Sequence, residues 1–218
     1  VLAFGESLKE RYLRAGWGRQ VITWHEAADT TVFRPVDGEA EAGDLVWVGN
    51  WGDGERAAEL WEFLVEPVRI LGLRAAVHGV RYPAAARDML AASGLAYRGW
   101  IQNADVPCAF ARHRVTVHVP RAPYVAELPG IPTIRPFEAM ACGIPLVSAP
   151  WEDAEGLFRP GDYLTAANGR EMQRKLDLLV RDPEARDEIA ARGLETIRAR
   201  HTCRHRVDEL LTALMGLE

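Results

Sequence analysis

Positive charge, long apolar runs and paired cysteines are all scarce in this chain, and each shortage removes a class of function. Its 26 Lys and Arg residues stand against 31 Asp and Glu, a formal net charge of −5. That balance leaves no electrostatic footprint for nucleic acid. No apolar run approaches the ~20 residues that a membrane-crossing helix needs. The three cysteines, Cys108, Cys142 and Cys203, are odd in number and lack metal-ligand spacing. They read as reduced thiols of a cytoplasmic protein. No bound cofactor and no metal are expected. Repeats and low-complexity segments are absent too. Val1 begins the chain mid-pattern, with neither an initiator Met nor a signal peptide. The expectation is that the natural protein continues upstream.

What is present is a substantial core. With 218 residues and 48% hydrophobic content, the chain fits one domain, or one plus a fragment. Short strand signals alternate with helical ones, which predicts an α/β fold, a parallel sheet with helices on both faces. Strands are expected at Leu45–Gly49, Arg74–Gly79, Ala96–Gly99, Val115–Val119, Ile144–Ser148 and Asp162–Thr165. Helices are expected near Glu55–Leu71, Pro83–Ala92 and Val106–Arg112, with three more closing the chain from Gly169 to Met215. Met172, Leu176 and Leu179 share one helical stripe, the spacing of a core-facing helix. Residues 1–35 stand apart, with strands at Val1–Phe4 and Val21–Trp24 around a helix at Glu6–Ala15. They read as a remnant of an upstream domain and the crossing between domains, and 36–218 as the main domain.

The most informative stretch is Arg135-Pro-Phe-Glu-Ala-Met-Ala-Cys-Gly-Ile-Pro-Leu-Val-Ser-Ala149. Proline is tolerated in a first helical turn, and glycine closes a helix through a left-handed residue. The pattern predicts a helix from Pro136 to Gly143, with Arg135 just before it and Glu138 in the first turn. A carboxylate and a guanidinium then stand together at a helix N-terminus, a place suited to anions. Phosphate for Arg135 and sugar hydroxyls for Glu138 is the chemical reading; a local salt bridge is the plain alternative.

Ligands of open parallel sheets bind beyond the carboxyl ends of the strands, which gathers further candidates into one rim. Gly49, Asn50 and Gly52 lie in the turn Gly49-Asn-Trp-Gly-Asp-Gly54 after the first main strand. Its glycines would let backbone approach a phosphate, or serve only a tight turn. His78 ends the second strand. Gly99 and Trp100 end the third, where a flat side chain suits a base or ordinary packing. His118 and Arg121 flank Pro120 after the fourth, and a lone His there is more often a structural hydrogen-bonder than a catalyst. The basic run Arg198–Arg206 reads as a solvated helix junction.

The run Phe137-Glu-Ala-Met-Ala-Cys-Gly-Ile-Pro-Leu-Val147 resembles the hallmark Glu-Ala-Met-Ala-x-Gly-x-Pro-Val-Val of retaining, group-1 (family-4-like) glycosyltransferases of the GT-B fold. Trp24-His-Glu-Ala-Ala-Asp29 with Phe33-Arg-Pro35 resembles their interdomain segment. Val48-Gly-Asn50 and Tyr97-Arg-Gly-Trp100 resemble the first loop and the base-facing strand. Leu157-Phe-Arg-Pro-Gly161 with Arg200-His-Thr and Arg206 is similar to the CgeB-like branch, named for a spore-maturation protein. The resemblance implies the C-terminal, Rossmann-like half of a GT-B enzyme, which takes a nucleoside-diphosphate sugar as substrate and works with an N-terminal acceptor domain. It implies ribose binding by Glu138 and diphosphate neutralisation by basic residues. Arg56 matches the usual Lys, and Arg135 supplies charge that Asn50, in place of the usual Arg, does not. Where the family commonly has a second Glu, eight positions before Glu138, this chain has Gly130, and the nearest upstream acid is Glu127.

These readings converge on the donor-binding domain of a bacterial glycosyltransferase of the hexosyltransferase type, inactive without its acceptor domain. No catalytic residue is assigned within this stretch. The competing expectations are a nucleotide-sugar epimerase on the same fold and a non-catalytic module that has kept the fold but lost the ligand.

Overall fold

The computed structural model describes residues 1–216. Strands β1 (Leu2–Ala3) and β2 (Ile22–Thr23) pair in parallel as a small sheet of their own, connected through helix α1 (Glu6–Arg14). The crossing segment that follows is held by the far end of the chain. Ala28 bridges Thr202, and the Trp24 Nε1–H donates to the Arg206 carbonyl at 2.7 Å.

The main sheet begins with β3 (Gly43–Val48), which is buried along its whole length. Its side chains alternate between faces. Leu45 and Trp47 enter one hydrophobic cluster, while Val46 and Val48 enter the other. Burial on both faces marks a central strand of a helix-covered parallel sheet. A helical run then carries the chain back, as α2 (Ala57–Leu60), a π-turn (Trp61–Val65) and α3 (Glu66–Leu71). Pro67 lacks an N–H and cannot serve the carbonyl four residues earlier, which accounts for the irregular ladder here. Gly72, at φ 63°, ends the run.

The chain continues through β4 (Ala75–His78), α4 (Ala84–Ala92), β5 (Leu95–Gly99), α5 (Val106–Ala111) and β6 (His113–His118). Next come α6 (Ala122–Glu127), α7 (Ile134–Ala141), β7 (Leu146–Ser148), β8 (Leu164–Thr165), α8 (Gly169–Arg181), α9 (Pro183–Arg200) and α10 (Cys203–Met215). The sheet order is β5-β4-β3-β6-β7-β8, with every pairing parallel. From β3 the chain winds outward to one edge, returns to lay β6 beside β3, and winds to the other. The reversal between β3 and β6 opens a crevice at their carboxyl ends.

Expected strands and helices lie within about two residues of these elements. Met172, Leu176 and Leu179 are all fully buried, as their stripe requires. Two corrections stand out. Helix α6 was not anticipated. The helix of the central motif starts at Ile134, with Thr133 as the residue before it, rather than at Pro136. Arg135 therefore sits inside the first turn and Glu138 one turn further on, away from the free N–H groups.

Candidate functional site

The lips of the crevice are the loops after β3 and β6, and a buried arginine joins their backbones. Arg56 is buried, and its Nη1 donates to the Val119 carbonyl at 2.7 Å while Nη2 donates to the Asn50 carbonyl. Its guanidinium also lies 5.4 Å over the Trp47 ring, a cation–π contact. Only Nε is left without a partner. Expected as a phosphate ligand, Arg56 in this structure staples backbone to backbone. These contacts have a physical cause: carbonyls at the end of a parallel strand pair lack ladder partners, and a buried guanidinium supplies donors to both.

The first loop is zipped to the next one along the sheet. Gly49 N–H donates to the His78 carbonyl at 2.9 Å, and Val80 N–H to the Asn50 side-chain oxygen at 3.0 Å. Asn50 is thus committed to loop structure. A Cβ at Gly79 would lie 2.0 Å from the Gly49 carbonyl oxygen, so this close approach admits only glycine. Gly52 has a left-handed backbone, φ 80°, as its turn requires. Arg121 is paired with Glu55 at 2.6 Å.

His118 organises the other side. It is completely buried, and burial lowers its pKa to about 3, so the ring is neutral. Ser148 Oγ–H donates to the Ala149 carbonyl at 2.8 Å, so that oxygen accepts from His118 Nδ1–H at 2.9 Å. Nε2 is then the acceptor for the Thr133 hydroxyl at 3.2 Å. The histidine therefore ties the ends of β6 and β7 to the start of α7. Those two bonds occupy both ring nitrogens.

That tie sets Arg135 and Glu138 beside the crevice. Arg135 Nη1 and Glu138 Oε2 are 2.6 Å apart, with side chains 22% and 8% exposed. The two atoms touch, yet neither completes a directed hydrogen bond. Burial pushes the Glu138 carboxyl up, against the pull of Arg135. Glu26 of the crossing segment is raised to about 7, by burial first and then by the Glu138 charge. Cys142, one turn beyond Glu138, is raised to about 12 by burial, an inert thiol.

The remaining candidates disperse. Gly99 accepts from Gly79 N–H at 2.8 Å, which fastens the end of β5 to the same loop system. Trp100 projects into solvent, 69% exposed, and so is not a packing residue. His78 is half-buried, with Nδ1 unpartnered. Glu127 is exposed and pairs with Arg11 at 3.5 Å, turned toward α1. The basic run at the C-terminus corrects another expectation, because His201 and Arg206 are buried and Arg206 clamps the crossing segment.

A cavity of about 280 Å³ lies at the carboxyl ends of β6 and β7, lined by His118, Pro120, Tyr124, Gly130 and Trp151. A larger hollow of about 900 Å³ runs down the β4–β5 face past Arg74, His78, Arg98 and Cys108. It touches none of Arg56, Arg135 and Glu138. Among the described residues, no group of His, Cys, Asp and Glu has the arrangement of a metal site, and no helix is long and apolar enough to cross a membrane.

Sequence reasoning missed Glu26, Thr133 and Ser148. Glu26 had a signal, since it falls within Trp24–Asp29, but a glutamate in a connecting segment reads as solvated. Thr133 and Ser148 had none, because their importance lies in a shared contact with His118.

No curated protein matches the chain. Solved structures do. Sucrose-phosphate synthase from Thermosynechococcus elongatus superposes with a TM-score of 0.73 at 16% identity, over 100% of this chain and 59% of that one. Anabaena HepE, solved with UDP and glucose, gives 0.76 at 15% identity, over 99% and 62%. TarM of S. aureus, in a complex that includes UDP, gives 0.70 at 11% identity, over 97% and 43%. At such identities the likeness establishes a fold, the Rossmann-like α/β architecture of GT-B glycosyltransferase domains. The chain spans about three fifths of the first two proteins. The glycosyl transferase-like family model matches residues 56–212, most of the sheet and all of the central motif, and the chain belongs to that family.

Proposed function

We propose that this chain is the C-terminal, donor-binding half of a GT-B glycosyltransferase that moves a sugar from a nucleoside-diphosphate sugar to an acceptor held by an N-terminal domain. The observation that carries the reading is the buried Arg135–Glu138 pair, set at the carboxyl ends of β6 and β7 by Thr133 and His118. Glu138 accepts from the ribose hydroxyls of UDP or GDP, and Arg135 keeps it ionised while offering N–H groups to the diphosphate. Gly49, Gly52, Gly99 and Trp100 form the surrounding rim, with Arg56 bracing it rather than touching phosphate. The domain's contribution is positioning and charge stabilisation of the departing diphosphate. Retention of anomeric configuration, membership of the CgeB-like branch and a cytoplasmic setting belong to the same proposal, the last supported by three free cysteines.

Calorimetric titration of UDP and GDP in the presence of EDTA tests the reading. Binding of either nucleotide is expected, and Glu138→Gln should weaken it about tenfold. No binding at millimolar nucleotide overturns the proposal. One rival has support of its own. Gly130 stands where a second acid would meet the sugar, and Glu127 is turned to Arg11. Those features suit a non-catalytic module, which the same titration separates.

A further inference from the structure

The hollow on the β4–β5 face has a built floor and a charged rim, and donor binding uses neither. The two faces of this sheet edge are filled differently. On one, Val77 and Leu95 join Ala86 and Leu90 of α4 in a single hydrophobic cluster. On the other, the strands present Ala76 and Ala96, paired in register, with Ala109 of α5 beside them. Side chains that short leave the sheet uncovered. The resulting space of about 900 Å³ lies within the range of small-molecule sites.

Arg98 enters the lining through an irregularity of the backbone. Val77 pairs with Tyr97 but His78 pairs with Gly99, so Arg98 is the extra residue of a bulge on the edge strand β5. Bulges are rare in parallel pairs, and at sheet edges they re-aim a side chain. Arg98 is exposed and, among the described residues, has no carboxylate in ion-pair range. Arg74 and Arg112 of the same lining instead hold Glu41 and Glu39 at 2.8 and 2.7 Å. Three arginines and two histidines line the hollow against one acid, Asp105, in a chain whose net charge is −5. Burial lowers the pKa of His78, and the charges of His113 and Arg98 lower it further, the mark of a place with cationic charge in excess. The half-buried thiol of Cys108 completes the wall.

We propose that this hollow is a ligand site for an organic anion, whose flat apolar body lies on the alanine floor while its anionic head meets Arg98. The site stands independently of the donor-binding reading above.

The probe is 1-naphthyl phosphate, with 1-naphthol and inorganic phosphate as its two halves, each titrated against the 218-residue chain. The whole probe should bind about tenfold more tightly than either half. Arg98→Ala should weaken it about tenfold, the loss of one charge-assisted hydrogen bond. Ala96→Leu, which fills the floor without altering charge, should weaken it by a similar factor. Should Ala96→Leu fail to fold by circular dichroism, Arg98→Ala, at an exposed position, carries the test. Alkylation with iodoacetamide then locates the probe, which should slow modification of Cys108 and leave the exposed Cys203 unaffected. No binding at millimolar probe overturns the inference, as does naphthol that binds as tightly as its phosphate. An Arg98 variant that binds as the parent does, or an unprotected Cys108, overturns it too. Saturating UDP should not displace the probe; displacement sinks the inference and leaves the donor-binding reading standing. A chain that binds the probe but no nucleotide does the reverse.

Discussion

Arg56 and Arg135 are the same residue type in the same region, and the fold spends them differently. Arg56 has two backbone carbonyls as acceptors and a tryptophan face beneath it. It is a fastening between the loops after β3 and β6. Arg135 has a single carboxylate as its charged partner, itself buried and short of hydrogen bonds. A guanidinium satisfied by neutral carbonyls stays put, whereas one facing a buried acid holds charge in place where a ligand can meet it. Basic character at a crevice therefore says little until the acceptors are known.

The largest effect that would break this comparison is expected at Arg135. Arg135→Leu leaves Glu138 buried without its counter-charge, and should cost about 3–4 kcal/mol of stability in urea denaturation. Adding Glu138→Leu should restore most of it. A single variant as stable as the parent would mean that the pair is solvated and that the contrast is mistaken.

Arg56→Ala comes next. It strips the Val119 and Asn50 carbonyls of charged donors, a loss of about 2–3 kcal/mol. Hydrogen exchange should quicken at Gly49–Arg56 and near Val119. Nucleotide affinity should fall less than with Glu138→Gln; the reverse order would make Arg56 a direct ligand.

The third test is one of pH. Folded Glu26 holds its proton up to about pH 7, whereas the unfolded chain releases it near 4.5. Its share of stability, about 2 kcal/mol after allowance for partial exposure, is complete below 4.5 and lost as the pH rises through 7. His118 works in the opposite sense. Its folded value of about 3 lies below the ordinary 6.5, so its share is present above 6.5 and lost as the pH falls toward 3. The stability of the parent minus that of Glu26→Gln should therefore grow as the pH is lowered from 7 to 4.5. A flat difference would show that Glu26 is solvated.

The smallest effect belongs to Arg11→Ala. Its partner Glu127 is 62% exposed, so thermal melting should register less than about 0.5 kcal/mol. Nucleotide binding should be unchanged. A marked loss of binding would draw Glu127 back into the site.

Much of this was legible in the sequence for reasons that differ by element. Strand β3 declares itself through an unbroken apolar run, and α8 through the Met172, Leu176 and Leu179 stripe, because burial imposes those periods directly. The motif around Glu138 was legible through its proline, glycine and acid at fixed spacing. Its start was misplaced by two residues, since Pro136 fits a first turn at more than one position. The run Arg198–Arg206 was misjudged because a charged residue near a helix junction is normally solvated. Arg206 is instead buried by the crossing segment that folds over it.

The sequence by itself determined that a helix-covered parallel sheet forms, since residue periodicity is a local consequence of which faces are wetted. It also determined that an arginine and a glutamate share one face of α7, three residues apart. Only the tertiary structure decided what each charge faces. Arg56 found the orphaned carbonyls of two loops, Arg135 found Glu138, and Glu26 came to feel the Glu138 charge from more than one hundred residues away along the chain. Electrostatic role depends on distance and burial in space, and neither is written in the spacing of residues along a chain.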